Sequence, residues 1–469
     1  MRHGFVAGRC ELSSPSMQAL TNLLFQLPQK ETHRDGIPIL PGGLPLVGHA
    51  PFNIGSPLTF LRNAASKVGP LFWTKNMGGW SLVCMGEPGF ELLKNRVTSS
   101  EFIREQAPDF IGDSLLSRDG VPHRNLRSAM SGAFTPRGLT SSGAAAISAE
   151  VIEASVASLP QQGPFSLLAE TQKLALDIIF RIMGIDRSEL DAWNRNYRDF
   201  VMGALPVRID LPFSPARRAS RGRRWLDARL ASLISAARGK PDMKGTLAAL
   251  LAARDEEGNA LGDADLIQNL RLLALAGHET SASVMAWLGI VLAQRPDLWE
   301  KLRDESMAAP GLPRSPEELK RHPFAEALFR EVLRMYPPVA FTAREATEDL
   351  VLHGRRVRRG TMITVPIGAY GYDPAFFPEP ENFDPSRWMG RRVPPSAIET
   401  AAFGGGPHFC LGYHLAWVEV VQFATAFARE LTRRGVRPQL APGAAPPKLR
   451  HLPFGQPPKK TRLELVRAA

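Results

Sequence analysis

The chain has 469 residues, 44% hydrophobic and 22% charged, which is ordinary for a globular protein with one large core or two. Its formal net charge of +11 suits acidic partners, but the arginine clusters Arg217 to Arg224 and Arg355 to Arg359 lack interleaved aromatics, so nucleic acid is excluded as the expected partner. Three cysteines (Cys10, Cys84, Cys410) make no disulfide framework, and no run of about 18 apolar residues exists to span a membrane.

Residues 1–36 read as a poorly ordered extension, because the apolar patch Leu20 to Leu27 is too short and interrupted for a signal peptide or anchor. One domain is expected over 37–469. Ile37 to His49 is punctuated by proline and glycine and is expected to run extended over the surface. Strands are predicted at Leu71 to Lys75 and Trp80 to Met85, joined by a Met77-Gly78-Gly79 turn. From about Ser142 to Gln294 the pattern is largely helical. The longest helix is predicted from about Asp263 to Gln294, capped by Asp263 or Asp265 and followed by Pro296. It would be about 48 Å long and is apolar on nearly all faces, the mark of a buried helix.

In the middle of that helix stands Ala276-Gly277-His278-Glu279-Thr280-Ser281. Polar groups in a buried helix need partners or a task. Two readings are open: close packing at Gly277 with Thr280 bonding back one turn, or a groove for a diatomic ligand beside a proton relay. A second helix, about Pro323 to Met335, carries Glu331 and Arg334 three residues apart, a spacing common in surface ion pairs. Arg387, in Phe383-Asp384-Pro385-Ser386-Arg387-Trp388, could join them as a Glu–Arg–Arg cluster that also satisfies backbone oxygens.

The stretch richest in chemistry is Phe403-Gly404-Gly405-Gly406-Pro407-His408-Phe409-Cys410-Leu411-Gly412, just before a helix from about Leu411 to Arg433. A cysteine in a glycine-rich loop is either a buried turn residue or a thiolate ligand; on haem iron a thiolate pushes electron density toward bound dioxygen. Gly406 and Gly412 would supply backbone freedom and N–H groups near the sulfur. Phe403 would pack against the loop and exclude water. His408 would reach a carboxylate at the cofactor's edge, and the helix N-terminus would favour the thiolate.

Ala-Gly-x-Glu-Thr, Glu-x-x-Arg, Phe-Asp-Pro-x-Arg-Trp and Phe-x-x-Gly-x-His-x-Cys-x-Gly occur in that order. Together they resemble the cytochrome P-450 family over most of 37–469. The resemblance implies a mainly α fold with a small β region, a triangular prism whose long central helix crosses the haem. It implies haem b with Cys410 as the axial metal ligand, Ala276, Gly277, Phe403 and Gly412 around it, and His123, Arg127, Arg344 and His408 at the propionates. Thr280 and Glu279 match the family's catalytic alcohol and acid, which supply protons during oxygen activation, and Glu331, Arg334 and Arg387 match its structural triad. The chain departs from the pattern at Gly371-Tyr372-Asp373-Pro374, where many members carry His-Arg before Asp-Pro.

The resemblance implies a monooxygenase that hydroxylates or epoxidises a small lipophilic molecule of secondary metabolism: a polyketide, terpenoid, steroid or fatty acid. By the same resemblance the pocket includes the Phe102 to Leu116 loop, Leu273, Ala276, Val339, Phe341, Thr342 and Pro453-Phe454. The chain after Cys410 is too short for a reductase domain, so electrons from NAD(P)H are expected through a separate ferredoxin or flavodoxin-type donor, with a monomeric, cytoplasmic enzyme. A peroxygenase or a rearrangement catalyst would not need Thr280. A non-catalytic haem sensor would not need the open space that Ala276-Gly277 allows.

Overall fold

The long predicted helix organises the molecule. The computed structural model describes residues 32–468 other than 45–46, 54, 77–78, 205–210, 212, 241–242, 392, 445–446 and 452–453. The Leu20 to Leu27 patch, Met77-Gly78 of the predicted turn and Pro453 lie outside the described residues. The helices that frame the site are α1 (Gly120–Phe134), α2 (Leu167–Ile182), α3 (Leu190–Val201), α4 (Pro215–Arg238), α5 (Asp263–Gln294), α6 (Pro323–Met335) and α7 (Tyr413–Arg433).

Helix α5 has the predicted bounds, and every residue from Ser281 to Ala293 is buried. It lies so close to α2 that a Cβ at Gly277 would come within 2.6 Å of Ile179, and one at Gly289 would overlap Leu167. Thr171 of α2 adds a hydrogen bond of 2.9 Å to the Ala282 carbonyl. The predicted cap is not found: the N-cap is Gly262, with no side-chain bond. The two acids instead pair outward, Asp263 with Arg238 at 2.5 Å and Asp265 with Arg118 at 2.6 Å. Both still lie in the first turn, where negative charge suits the helix dipole.

The β region is a five-stranded sheet built from β1 (Leu71–Asn76), β2 (Gly79–Cys84), β3 (Thr98–Ser99), β4 (Thr342–Ala346) and β5 (Met362–Val365), in the order β1-β2-β5-β4-β3. Only β2 and β5 run parallel. This brings Arg344 of β4 opposite Ile363. The Ile37 to His49 segment does not run over the surface. Ile37, Ile39 and Leu40 are buried, and Leu40 N–H donates to the Trp73 carbonyl at 2.9 Å. Its apolar side chains complete the sheet's core, which outweighs the freedom its glycines would allow. His33–Arg34, within the span read as an extension, pairs antiparallel with Ile37–Pro38.

Several arginines of the two clusters are paired with acids. Arg218 and Arg221 pair with Asp199 at 2.5 and 2.7 Å and Arg223 with Asp109 at 3.2 Å, while Arg356 and Arg358 face Asp349 and Asp35. Among the described residues no helix is long and apolar enough to cross a membrane.

Glu331, Arg334 and Arg387 come together, and not at the surface: the Glu331 and Arg334 side chains are 0% and 1% exposed. Arg334 forks onto Glu331 at 2.8 and 2.9 Å, and Arg387 reaches the same carboxylate at 3.1 Å. Trp388 Nε1 and the Asp384 N–H also donate to it, each at 2.8 Å. The remaining Arg334 protons go to the carbonyls of Gly371, Pro380 and Asn382. The Gly371 departure makes sense here, because a Cβ at 371 would sit 2.5 Å from the Arg334 carbonyl oxygen. Tyr372 donates to the Met335 carbonyl at 2.6 Å. Removing one member of a buried ion pair strands the other, at about 3–5 kcal/mol. Glu331→Gln is therefore expected to lower stability by about 3 kcal/mol or more and to reduce haem content. A thermal midpoint within a degree or so of the parent would contradict this.

Candidate active site

The Cys410 loop is held from both sides. Cys410 N–H donates to the Phe403 carbonyl at 2.9 Å. Phe403 packs edge-on against Tyr413, with ring centroids 4.7 Å apart. Gly406 sits at φ +60°, where a Cβ would overlap the Leu93 carbonyl, so a side chain is forbidden there. Gly412 differs from expectation. Its φ of −82° is open to any residue, and its contribution is the N–H that bonds to the Cys410 sulfur. Burial raises the thiol pKa, opposed by that N–H and by the Arg127 guanidinium. Helix α7 has no side-chain N-cap, which leaves its first N–H groups and its dipole facing the loop.

Above the sulfur is a cavity of about 220 Å³, walled on one side by Leu272, Leu273, Ala276, Gly277 and Thr280 of α5 and on the other by the Cys410 loop and α7. Ala276 is exposed in a helix otherwise largely buried, because it faces this space. Leu115 and Leu116 of the predicted loop join the wall. Val339, Phe341, Thr342 and Phe454 lie outside it, and Phe341 is 37% exposed.

Basic side chains gather at one end of the cavity. His123 and Arg127 of α1 and His408 stand on its wall, and the rings of His123 and His408 are 4.3 Å apart. His123 Nε2 is buried without a partner. Burial, with His408 and Arg127 close by, pushes the His123 pKa down to about 4. Arg127 donates to the Phe409 carbonyl at 2.7 Å, and Arg344 to the Ala343 carbonyl at 3.0 Å and Thr342 Oγ1 at 3.2 Å. Neither arginine has a carboxylate partner among the described residues, and burial lowers both pKa values. Asp119 is near Arg344 and Cys410 near Arg127, but neither makes a direct ion pair, and a buried guanidinium group without one is costly. An anionic ligand from outside the chain would relieve this, and the two propionates of a haem fit. A cysteine sulfur, a space beside it and unpaired cations at one end are what that group requires.

Asp119 was not foreseen. His408 Nε2 lies 2.8 Å from its Oδ1, while Ser100 N–H and Ser99 Oγ donate to Oδ2 at 2.6 and 2.9 Å. Burial raises the Asp119 pKa, but these partners outweigh it and hold the carboxyl well below the usual range. The aspartate thus fixes the His408 ring that the sequence assigned to the cofactor's edge.

Glu279 and Thr280 part company. Thr280 is on the cavity wall, with its hydroxyl bonded back to the Ala276 carbonyl at 2.5 Å. Glu279 points elsewhere: Gln172 donates to it at 3.2 Å, Gln456 also donates, and His278 Nδ1 is 3.3 Å away. Neighbours on a helix leave it about 100° apart; here Thr280 takes the cavity side and Glu279 the Gln172 side. The acid that does line the cavity is Glu419, nine residues beyond Cys410. It is fully buried, takes Ser281 Oγ–H at 3.0 Å on Oε2, and leaves Oε1 without a partner. Burial pushes its pKa up to about 8. An acid on the inward face of the α7 helix was visible in the sequence, but nothing there showed that it meets Ser281.

A family model described as Cytochrome P450 matches residues 38–464. "Cytochrome P450 BJ-4 homolog" of Sinorhizobium fredii is 38% identical over 422 residues, covering 90% of this chain and 94% of that protein. "Cytochrome P450 BJ-4" of Bradyrhizobium diazoefficiens is 37% identical over the same length, with 90% and 94% covered. Among solved structures, "Retinoic acid bound cyanobacterial CYP120A1" superposes with a TM-score of 0.77 at 25% identity, covering 92% of this chain and 100% of that one. Further matches include "Taxane 10-beta-hydroxylase" of Taxus cuspidata, 26% identical with 90% of each chain covered. "Cyclooctat-9-en-7-ol 5-monooxygenase" of Streptomyces melanosporofaciens is 29% identical, with 84% and 89% covered.

The Glu419 environment makes a pH prediction. A carboxyl with a folded pKa near 8 keeps a proton that the unfolded chain releases above about 4.3. The folded state therefore loses about 1.4 kcal/mol of relative stability per pH unit across that window, then levels off above pH 8. Glu419→Gln removes the slope. The stability of this variant relative to the parent should rise steadily from pH 5 to pH 8 in denaturant melts; parallel pH profiles would contradict the assignment.

Proposed function

The chain belongs to the cytochrome P450 family, whose members are in general haem-thiolate monooxygenases, and on that premise we propose that it oxygenates an uncharged, carbon-rich substrate of terpenoid type. The observation that carries the reading is the Cys410 sulfur beneath a cavity whose opposite wall is Ala276, Gly277 and Thr280. Haem, when bound, supplies the activation of dioxygen. The residues supply the rest. Cys410 would ligate the iron, with Gly412 N–H and the α7 N-terminus moderating charge on the sulfur. His123, Arg127, Arg344 and His408 would take the propionates. Ala276 and Gly277 keep space open on the far side, and Thr280 offers a hydroxyl that can turn from the Ala276 carbonyl to hold or pass a proton at its Oγ1.

The wall on the α5 side is apolar apart from Asn269, Thr280 and Ser281 and carries no charge, so it favours hydrocarbon over charged ligands. Relatives named for taxane and cyclooctat-9-en-7-ol support a polycyclic terpenoid over the other lipophilic classes. Electrons would come from NAD(P)H through a separate ferredoxin or flavodoxin-type protein. One observation favours a peroxide-driven enzyme as a second reading: Glu279, the expected acid of the relay, is engaged by Gln172 and Gln456 away from the cavity.

The test supplies the purified protein with a surrogate ferredoxin system, NADPH and ¹⁸O₂, and screens terpenoid hydrocarbons. One ¹⁸O atom per product is expected, and Thr280→Ala should cut product per NADPH by about tenfold or more while hydrogen peroxide release rises. Product label drawn from water would contradict the proposal. Turnover on hydrogen peroxide alone, indifferent to Thr280→Ala, would establish the second reading in its place.

A further inference from the structure

The segment 107–118 contributes Leu115 and Leu116 to the cavity wall and is fastened to α5 by a row of polar side chains. Asp265, Gln268 and Asn269 stand at i, i+3 and i+4, hence on one face. Asp265 takes Arg118 at 2.6 Å, and Arg118 also holds Asp113 at 2.9 and 3.0 Å. Gln268 donates to the Ile111 carbonyl and accepts from Arg271 at 2.6 Å. Gly112, at φ +61°, leaves room for that amide, since a Cβ there would come within 2.8 Å of it. Asn269 is 2% exposed. Its Oδ1 accepts from the Leu115 N–H at 2.9 Å, and its Nδ2 donates to the Asp265 carbonyl at 2.8 Å.

The same helix face continues into the cavity as Leu272, Leu273 and Ala276. Asn269 is therefore the polar junction between the fastened stretch of the segment and its lining residues, Leu115 and Leu116. The turn below it is braced internally: Ser117 Oγ donates to the Gly112 carbonyl at 2.6 Å and accepts from the Ser114 N–H at 3.0 Å. With Gln268 and Arg118 also in place, loss of the Asn269 bond would shift the Leu115–Leu116 end without unfolding the segment. A buried amide left without its partner costs about 1–3 kcal/mol, so a single hydrogen bond suffices to set this position.

We propose that Asn269 is a specificity-determining positioning residue: by holding the Leu115 peptide it fixes the clearance between the Leu116 end of the segment and α5, and with it the bulk of ligand the cavity admits. The inference rests on the reading of this cavity as the haem and substrate site.

The test uses the haem-loaded full chain with two probes, imidazole and 4-phenylimidazole, followed by the Soret shift, together with hydrogen exchange at the Leu115 amide. Asn269→Leu removes the acceptor at similar volume. Asn269→Asp, protonated in so buried a place, keeps both an acceptor and a donor. In Asn269→Leu the Leu115 amide should exchange about tenfold faster or more, and 4-phenylimidazole should gain about tenfold in association rate relative to imidazole. Asn269→Asp should restore both to within about twofold. General destabilisation would move the two probes alike and lower haem content, so it leaves their ratio unchanged. An unchanged ratio or an unchanged Leu115 exchange rate in Asn269→Leu overturns the proposal. A parent protein with no azole-induced Soret shift overturns instead the haem reading beneath it, and the two failures are told apart by that control.

Discussion

A thiol enclosed between helices does not ionise unless something opposes the loss of water around it. At Cys410 burial works against the thiolate, and what opposes it is local: the Gly412 N–H, the Arg127 guanidinium and the uncapped start of α7. The loop's tight turn needs Gly406, since any Cβ there would overlap the Leu93 carbonyl, and Gly404 close by is also at positive φ, +78°. The loop is thus a device for holding a sulfur close to N–H groups.

The loop is supported from behind. The Glu331–Arg334–Arg387 cluster is far too deeply buried to act as a surface ion pair, and Arg334 also donates to the backbone carbonyls of Gly371, Pro380 and Asn382. Such a cluster contributes little net stability. What it does is fix the path of an irregular stretch of chain that has few hydrogen bonds of its own. Phe329 of α6 meets Phe403 with ring centroids 6.4 Å apart, so the same helix bears on the Cys410 loop directly.

Elements bounded by chemistry were legible in the sequence. Helix α5 ends where Pro296 requires, and α6 runs from Pro323 to just before Pro337. The cysteine loop and the order of the motifs carried the family. What could not be read was pairing across long separations. Asp119 and His408 are 289 residues apart, and Ser281 and Glu419 138 apart. Direction within a helix was also hidden: Glu279 and Thr280 are adjacent in sequence, yet one faces Gln172 and the other the cavity. Ile37 to His49 misled for a similar reason, since its prolines and glycines signal an irregular path but not that Ile37 and Ile39 complete a core.

The account stands on Cys410 thiolate as the ligand of haem iron, and one spectrum tests that most directly. The protein is reduced with dithionite and exposed to carbon monoxide. A Soret band shifted strongly to the red is the predicted result, and it should be lost in Cys410→Ser while the fold persists. A Soret band at the position typical of histidine-ligated haem, or a freshly purified protein that neither contains nor takes up haem, would contradict the account at its root.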